Sequence, residues 1–207
     1  MNYGEEYVFW YLRLNGFFPI TNFVIHKSSH VSFSSDCDVL AIRMPFVYEE
    51  IGGLPDDWDD YLRNILDFDV INGIICEVKT GDYDPEKLFI RTNLSYSIGR
   101  LGFISRDDES YLDNILDVLD NSPQIFMTAD RQNIPFCITK LLVANSNKGE
   151  NSSYSFLPFD RVLSFLRDRI KNYRLQKYRD RMFFGSNQFQ AFIDYIALDR
   201  FSGEEAE

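Results

Sequence analysis

The run Gly73-Ile74-Ile75-Cys76-Glu77-Val78-Lys79 constrains the fold more than any other stretch of this chain. Its apolar lead-in suits a strand in the interior of a sheet, and it ends in a carboxylate and an ammonium two residues apart. Side chains at i and i+2 of a strand share a face, so Glu77 and Lys79 emerge side by side. Burying both charges is costly unless they pair or hold a metal. A second apolar run, Ser35-Asp36-Cys37-Asp38-Val39-Leu40-Ala41-Ile42, carries acids at its mouth. With the two strands side by side, Asp38, Glu77 and Lys79 converge on one spot. Two oxygen ligands for a hard divalent ion, beside a cation, suit metal-assisted phosphodiester hydrolysis.

The pattern along the chain supplies the surroundings. Gly4 to Asn15 reads as a helix with Gly16 just past its end. Glu5 shares a stripe with Val8, Phe9 and Leu12, which makes it a better inward-facing candidate than Glu6. Its alternative is a favourable charge at a helix N-terminus. Pro45 to Asn72 reads as an acidic insertion with a helix over Asp56–Phe68. Pro85 to Phe103 reads as mostly helical with an interruption near Asn93, and Asp107 to Asp120 as an amphipathic helix. Gln124–Thr128 and Pro135–Ala144 are strand candidates, and Asn145–Ser153 is a polar loop. Pro158–Tyr178 is the longest helical pattern, followed by a short helix over Gln188–Leu198 and a tail from Ser202.

Asp38 followed by Glu77-Val78-Lys79 resembles the core of the PD-(D/E)XK nuclease superfamily, which includes restriction endonucleases and archaeal Holliday-junction resolvases. Gly4-Glu5, Val8, Leu12 and Gly16 are similar to the first helix of the resolvase-like members, where a glutamate joins the site. The resemblance places strands over Phe17–His26 and Asp36–Arg43, and its matches lie in the part of the chain up to Lys79. Cys37 stands where the superfamily's name has proline, and the gap between Asp38 and Glu77 is longer than is usual there.

The resemblance implies an α/β domain, a restriction-endonuclease-like central mixed sheet flanked by helices, and a magnesium-dependent endonuclease acting on DNA in genome defence against viruses or in repair. Manganese would substitute for magnesium. Asp38 and Glu77 would bind the ion, with the backbone carbonyl of Val78 as third ligand. Lys79 would orient or deprotonate the attacking water and offset charge in the transition state. Glu5 would complete the metal sphere or support a second ion, and Asp36, two residues before Asp38, is an accessory candidate. Two alternatives stay open: a nuclease-fold module that binds or regulates without cutting, and a nuclease acting on RNA.

At 207 residues, 45% of them hydrophobic, the expectation is one domain over residues 1–207, with the insertion at 45–72 and a basic C-terminal helical segment at 158–198. The net charge of −11 argues against a generic nucleic-acid binder. The charge is uneven, however. Pro45–Asn72 carries a balance of −7 and Arg161–Arg181 a balance of +6. Arg167, Lys171 and Arg174 fall on one helical face and are candidates for contact with a phosphate backbone, as are Arg91 and Arg100 beside the site. Their alternatives are a solvated face, docking on the acidic insertion, and surface ion pairs. A homodimer mate or a protein partner would add DNA affinity to so acidic a chain.

Other chemistries find little support. His26 and His30 do not share a helical face if they lie on strand and loop, which disfavours a zinc pair. No Gly-Xaa-Ser-Xaa-Gly elbow and no GK[ST] phosphate loop is present. Cys37, Cys76 and Cys137 lack CxxC spacing and read as buried reduced thiols. No apolar stretch reaches bilayer length and the N-terminus has no secretory pattern, so the expectation is a cytoplasmic protein without a membrane partner.

Overall fold

Asn2 starts the first helix, α1 (Tyr3–Leu14), with a reciprocal cap. Its side chain accepts the Glu5 N–H at 3.0 Å, and the Glu5 carboxylate accepts the Asn2 N–H at 3.2 Å. Gly16, at φ +84°, turns the chain out of the helix. Two strands follow, β1 (Phe18–Ile25) and β2 (Ser35–Arg43). A 3-10 turn at Pro55–Asp57 and α2 (Asp60–Ile65) lead to β3 (Ile71–Lys79). Then come a 3-10 turn at Pro85–Lys87, α3 (Arg91–Leu101), α4 (Glu109–Asn121), β4 (Gln124–Ala129) and β5 (Ile134–Ala144). The chain continues through β6 (Ser155–Pro158), α5 (Phe159–Asn172) and α6 (Asn187–Leu198). This computed structural model describes residues 2–25, 35–105, 108–129, 134–148, 153–173 and 187–198.

The described strands form one six-stranded mixed sheet in the order β1-β2-β3-β5-β4, with β6 also on β5. The β1–β2 and β2–β3 pairs are antiparallel, while β3 and β5 are parallel. The outer edge of β5 serves two partners. Ile134–Thr139 pairs antiparallel with β4, and Leu141–Ala144 pairs parallel with β6.

Helices cover both faces. On one, Val8, Leu12, Val162, Leu166 and Ile196 pack on Val39, Ile74, Cys76 and Val143. On the other, Leu94, Ile98, Ile115 and Leu119 pack on Leu40, Ile75, Ile138 and Leu142. A strand buried on both sides needs apolar residues at every position, which is why β3 and β5 read as continuous apolar runs. At ~25 cal/mol per Å2 of apolar surface removed from water, each fully buried leucine or isoleucine in these layers contributes about 2 kcal/mol.

The insertion between β2 and β3 is docked, not loose. Arg43 is 1% exposed, and its guanidinium carbon lies 3.7 Å from the Phe68 ring centroid and 4.4 Å from that of Trp58. Its Nε donates to the Asn15 carbonyl at 3.2 Å. Burial lowers its pKa to about 10. The backbone N–H of Asp59 donates to the Asn15 side chain at 2.7 Å, and Arg161 of α5 donates to both Asp59 oxygens through Nε at 2.9 and 3.1 Å. Arg169 donates to the carbonyls of Gly52 and Asp57, and the Tyr173 hydroxyl to the Asp57 carboxylate.

Three elements differ from the sequence pattern. The helix expected from Pro85 is broken before Arg91 instead of near Asn93, because buried Phe89 takes a left-handed φ of +53°. The helix expected over Asp56–Phe68 shortens to α2, capped by Asp59, whose carboxylate accepts the Tyr61 N–H at 2.7 Å. β6 falls between the polar loop that ends at Ser153 and the helix expected from Pro158; four residues are too few to display a strand period.

Candidate active site

Asp38 stands at the mouth of the two motif strands. β1 pairs with β2 on either side of it, at Thr21↔Val39 and Phe23↔Cys37. The β2–β3 ladder begins only at Val39↔Cys76. Beyond that pair a side chain takes over the bonding, as the Val78 N–H donates to Asp38 Oδ2 at 2.7 Å. The carboxylate thus does at the mouth of the two strands what a carbonyl does inside a ladder. It accepts a charge-assisted bond in doing so.

Lys79 completes the group. Its Nζ lies 2.9 Å from Asp38 Oδ2 and 2.7 Å from Glu77 Oε2. On the other side of β3, Glu77, Val78 and Lys79 pair with Leu142, Val143 and Ala144 of β5, so the motif is fixed on a central strand. The side chains of Asp38 and Glu77 are only 11% and 14% exposed. Burial pushes the Glu77 carboxyl up to about 7; Lys79 opposes the shift and Asp38 adds to it. For Lys79, burial works against the charge, but Glu77 and Asp38 outweigh it and hold the ammonium above the usual lysine range. With both carboxylates turned on it, the ammonium is placed to orient a water and offset negative charge. The thiols of Cys37 and Cys76 are buried behind the acids and raised, chiefly by burial.

α1 reaches the same end of β3. A Cβ built on Gly4 would fall 2.5 Å from Thr80 Cγ2 and 3.3 Å from Val78 Cγ1, so only glycine allows this approach without a shift. Glu5 nevertheless does not join the acids in a metal-holding group, since its carboxylate is turned back into the cap on Asn2. Glu6, not Glu5, is the buried acid of the helix, and its Oε1 has no hydrogen-bond partner among the described residues. Among those residues no set of three or more His, Cys, Asp or Glu side chains is placed to hold a metal.

The remaining candidates are dispersed. Arg91 is held by the carboxylates of α4, at 3.3 Å from Asp113, 2.9 Å from Asp117 and 2.6 Å from Asp120. The spacing of those aspartates at i, i+4 and i+7 was the signal that could have shown it. Arg100 lies with its guanidinium carbon 5.5 Å from the Phe23 ring centroid. Arg167 and Lys171 are exposed on α5, while the face that meets the insertion carries Arg161 and Arg169. Asp36 pairs with Val24 through its backbone, and its side chain lies outside the description. Arg174, His26 and His30 also lie outside the described residues.

Sequence reasoning missed the rim. Asn145 Nδ2 donates to the Thr80 carbonyl at 2.7 Å, and the Tyr83 hydroxyl donates to the Ser146 carbonyl at 2.9 Å. The Lys148 N–H donates to that hydroxyl at 2.9 Å, and its ammonium pairs with Asp82. These bonds tie together the loops that leave β3 and β5 beside Lys79 and Ala144.

No helix among the described residues is long and apolar enough to cross a membrane. Compared with known proteins, the chain matches no protein-family model, no curated protein and no solved structure.

Proposed function

We propose that this chain is a metal-dependent nuclease of restriction-endonuclease-like architecture that hydrolyses phosphodiester bonds in DNA. The observation that carries the reading is the meeting of Asp38 and Glu77, from adjacent antiparallel strands, on the Lys79 ammonium. An initial helix packed on a sheet whose second and third strands carry Asp and Glu-Val-Lys is the arrangement that the resemblance implies.

The donor set fits a hard divalent ion. Magnesium is held by one or two carboxylates and keeps several waters, so the two acids suffice without Glu5. Asp38 and Glu77 would hold it, with the Val78 carbonyl as a further oxygen donor. Magnesium or manganese, when bound, supplies Lewis acidity to the scissile phosphate and makes a water more acidic. The chain's own contribution is positional and electrostatic. The strand pair fixes two carboxylates at one spot, and a protonated Lys79 offsets negative charge growing on the phosphate oxygens. Arg167 and Lys171 on α5 supply sequence-independent contact with the phosphate backbone. Genome defence or repair is the setting in keeping with this chemistry.

The test is nicking of supercoiled plasmid by the purified chain with magnesium or manganese, beside Glu77→Gln and Lys79→Met. The wild type should cut, and each variant should lose at least ~100-fold in rate. A wild type that never cuts, or variants that cut normally, would remove the proposal. Parallel duplex, branched and single-stranded DNA and RNA substrates separate DNA from RNA cleavage. One observation favours a second reading, a nuclease-fold module that binds without cutting. Lys79 is engaged by both acids, and no third ligand stands beside them among the described residues.

A further inference from the structure

β1 is the outermost strand of the sheet, and among the described residues it pairs with β2 alone. Exposed outer strands are normally protected by charged side chains, lysine above all. This one is not. No charged residue occurs from Leu14 to Ile25, and none from Met44 to Tyr48, in a chain that is 26% charged. Pro19 is the one blunting device on the strand.

The same corner exposes large apolar side chains. Phe18 and Ile20, opposite Ile42 and Leu40, lie on one face of β1. Phe18 is 63% exposed and Ile20 44%. Past the end of β2, Met44, Phe46 and Tyr48 extend the surface, with Phe46 at 86% exposure. Phe46 also holds a left-handed φ of +57°, a conformation costly for a bulky side chain and one that keeps an aromatic ring in water. Pro45 and Phe46 form a turn, and a positive φ directly after proline belongs to the second corner of such a turn. What marks Phe46 is its exposure, at the tip of that turn.

We infer that this corner joins two copies of the chain, with β1 of each running antiparallel to β1 of the other. An antiparallel strand pair is its own two-fold mate, so a single edge serves both subunits. Five large side chains at these exposures present roughly 500–600 Å2, taking ~150–250 Å2 for a whole aromatic ring. A stable interface takes ~800 Å2 from each partner, and the unpaired backbone of β1 contributes toward the rest. Charge selects the occupant. A patch whose own side chains carry no ions offers nothing to a strongly charged partner, whereas two molecules of net charge −11 can meet on it with their carboxylates, Glu49 and Glu50 among them, kept to its border. The inference does not depend on what Asp38, Glu77 and Lys79 do.

Sedimentation equilibrium of the full chain from about 1 to about 100 μM tests it. The wild type should pass from the mass of one chain to that of two across this range. Ile20→Lys combined with Phe46→Ser should raise the dissociation constant at least ~10-fold, with an unchanged far-ultraviolet circular dichroism spectrum. A wild type that stays monomeric throughout, or a folded double variant with the same dissociation curve, overturns the proposal. Hydrogen exchange of the wild type provides a reading without substitutions. The β1 amides should be better protected at the high concentration than at the low one. Equal protection at both concentrations overturns the dimer and points to a different cover, such as another part of the same chain.

Discussion

Asp38 Oδ2 accepts the backbone N–H of Val78 at 2.7 Å and is therefore a structural member of the sheet as well as a candidate metal ligand. The same oxygen accepts from the Lys79 ammonium at 2.9 Å. Replacing Asp38 by Ala strands a backbone donor and removes one of two counter-charges from a part-buried lysine. Asp38→Ala should lose cleavage and also lose about 1–3 kcal/mol of stability, read from urea unfolding. Glu77→Gln should lose cleavage alone. Equal stability losses in the two variants would contradict the ladder-replacing role of Asp38.

The raised carboxyl of Glu77 has a signed consequence for stability. Its ordinary value is 4.5 and its folded value about 7. Between those pH values the folded chain binds more protons at this position than the unfolded chain, so this group's contribution weakens as pH rises from 4.5 to 7. Without added metal, melting temperatures measured across that window should therefore be less favourable toward pH 7 in the wild type than in Glu77→Gln. A difference between the two proteins that is flat with pH would place Glu77 in a wetter setting than its burial describes.

Arg43 has aromatic rings and carbonyls for company. Two rings and the Asn15 carbonyl hold a planar cation, and a lysine offers neither the stacking plane nor the fork. Arg43→Lys should cost about 1–3 kcal/mol and Arg43→Ala more. Both should change the fluorescence of Trp58, which lies against the guanidinium. Wild-type melting temperatures in both variants would mean that the insertion is docked without this contact.

Arg167 and Lys171 are exposed, so reversing both charges should leave the fold intact. Binding to duplex DNA, measured by fluorescence anisotropy at several salt concentrations, should weaken. The slope of log affinity against log salt should fall by about 2 if each side chain meets one phosphate. An unchanged slope would assign this face to solvent.

The trio was legible in the sequence because its cues are short-ranged: apolar strands, and charges at i and i+2 on one of them. The packed helix at Tyr3–Leu14 and the strand at Ile71–Lys79 were legible for the same reason. The ligand from α1 was not settled there. Periodicity favours Glu5 as inward-facing, but position three of a helix also lets a glutamate reach back to the cap, and that local bond takes it. Arg91 illustrates the limit from another side. Its fate is decided by three aspartates of a later helix, a relation that depends on how α3 and α4 pack together. The basic stripe of α5 hides a division of labour that burial alone reveals, with Arg161 and Arg169 spent on the insertion and Arg167 left in water.

The parallel pairing of Glu77, Val78 and Lys79 with Leu142, Val143 and Ala144 has a consequence during synthesis. A nascent polypeptide that has emerged as far as Lys79 already holds all three members of the trio. It does not yet hold the strand against which two of them are aligned. Any activity of this centre must therefore await translation of a segment that contains none of its reactive groups.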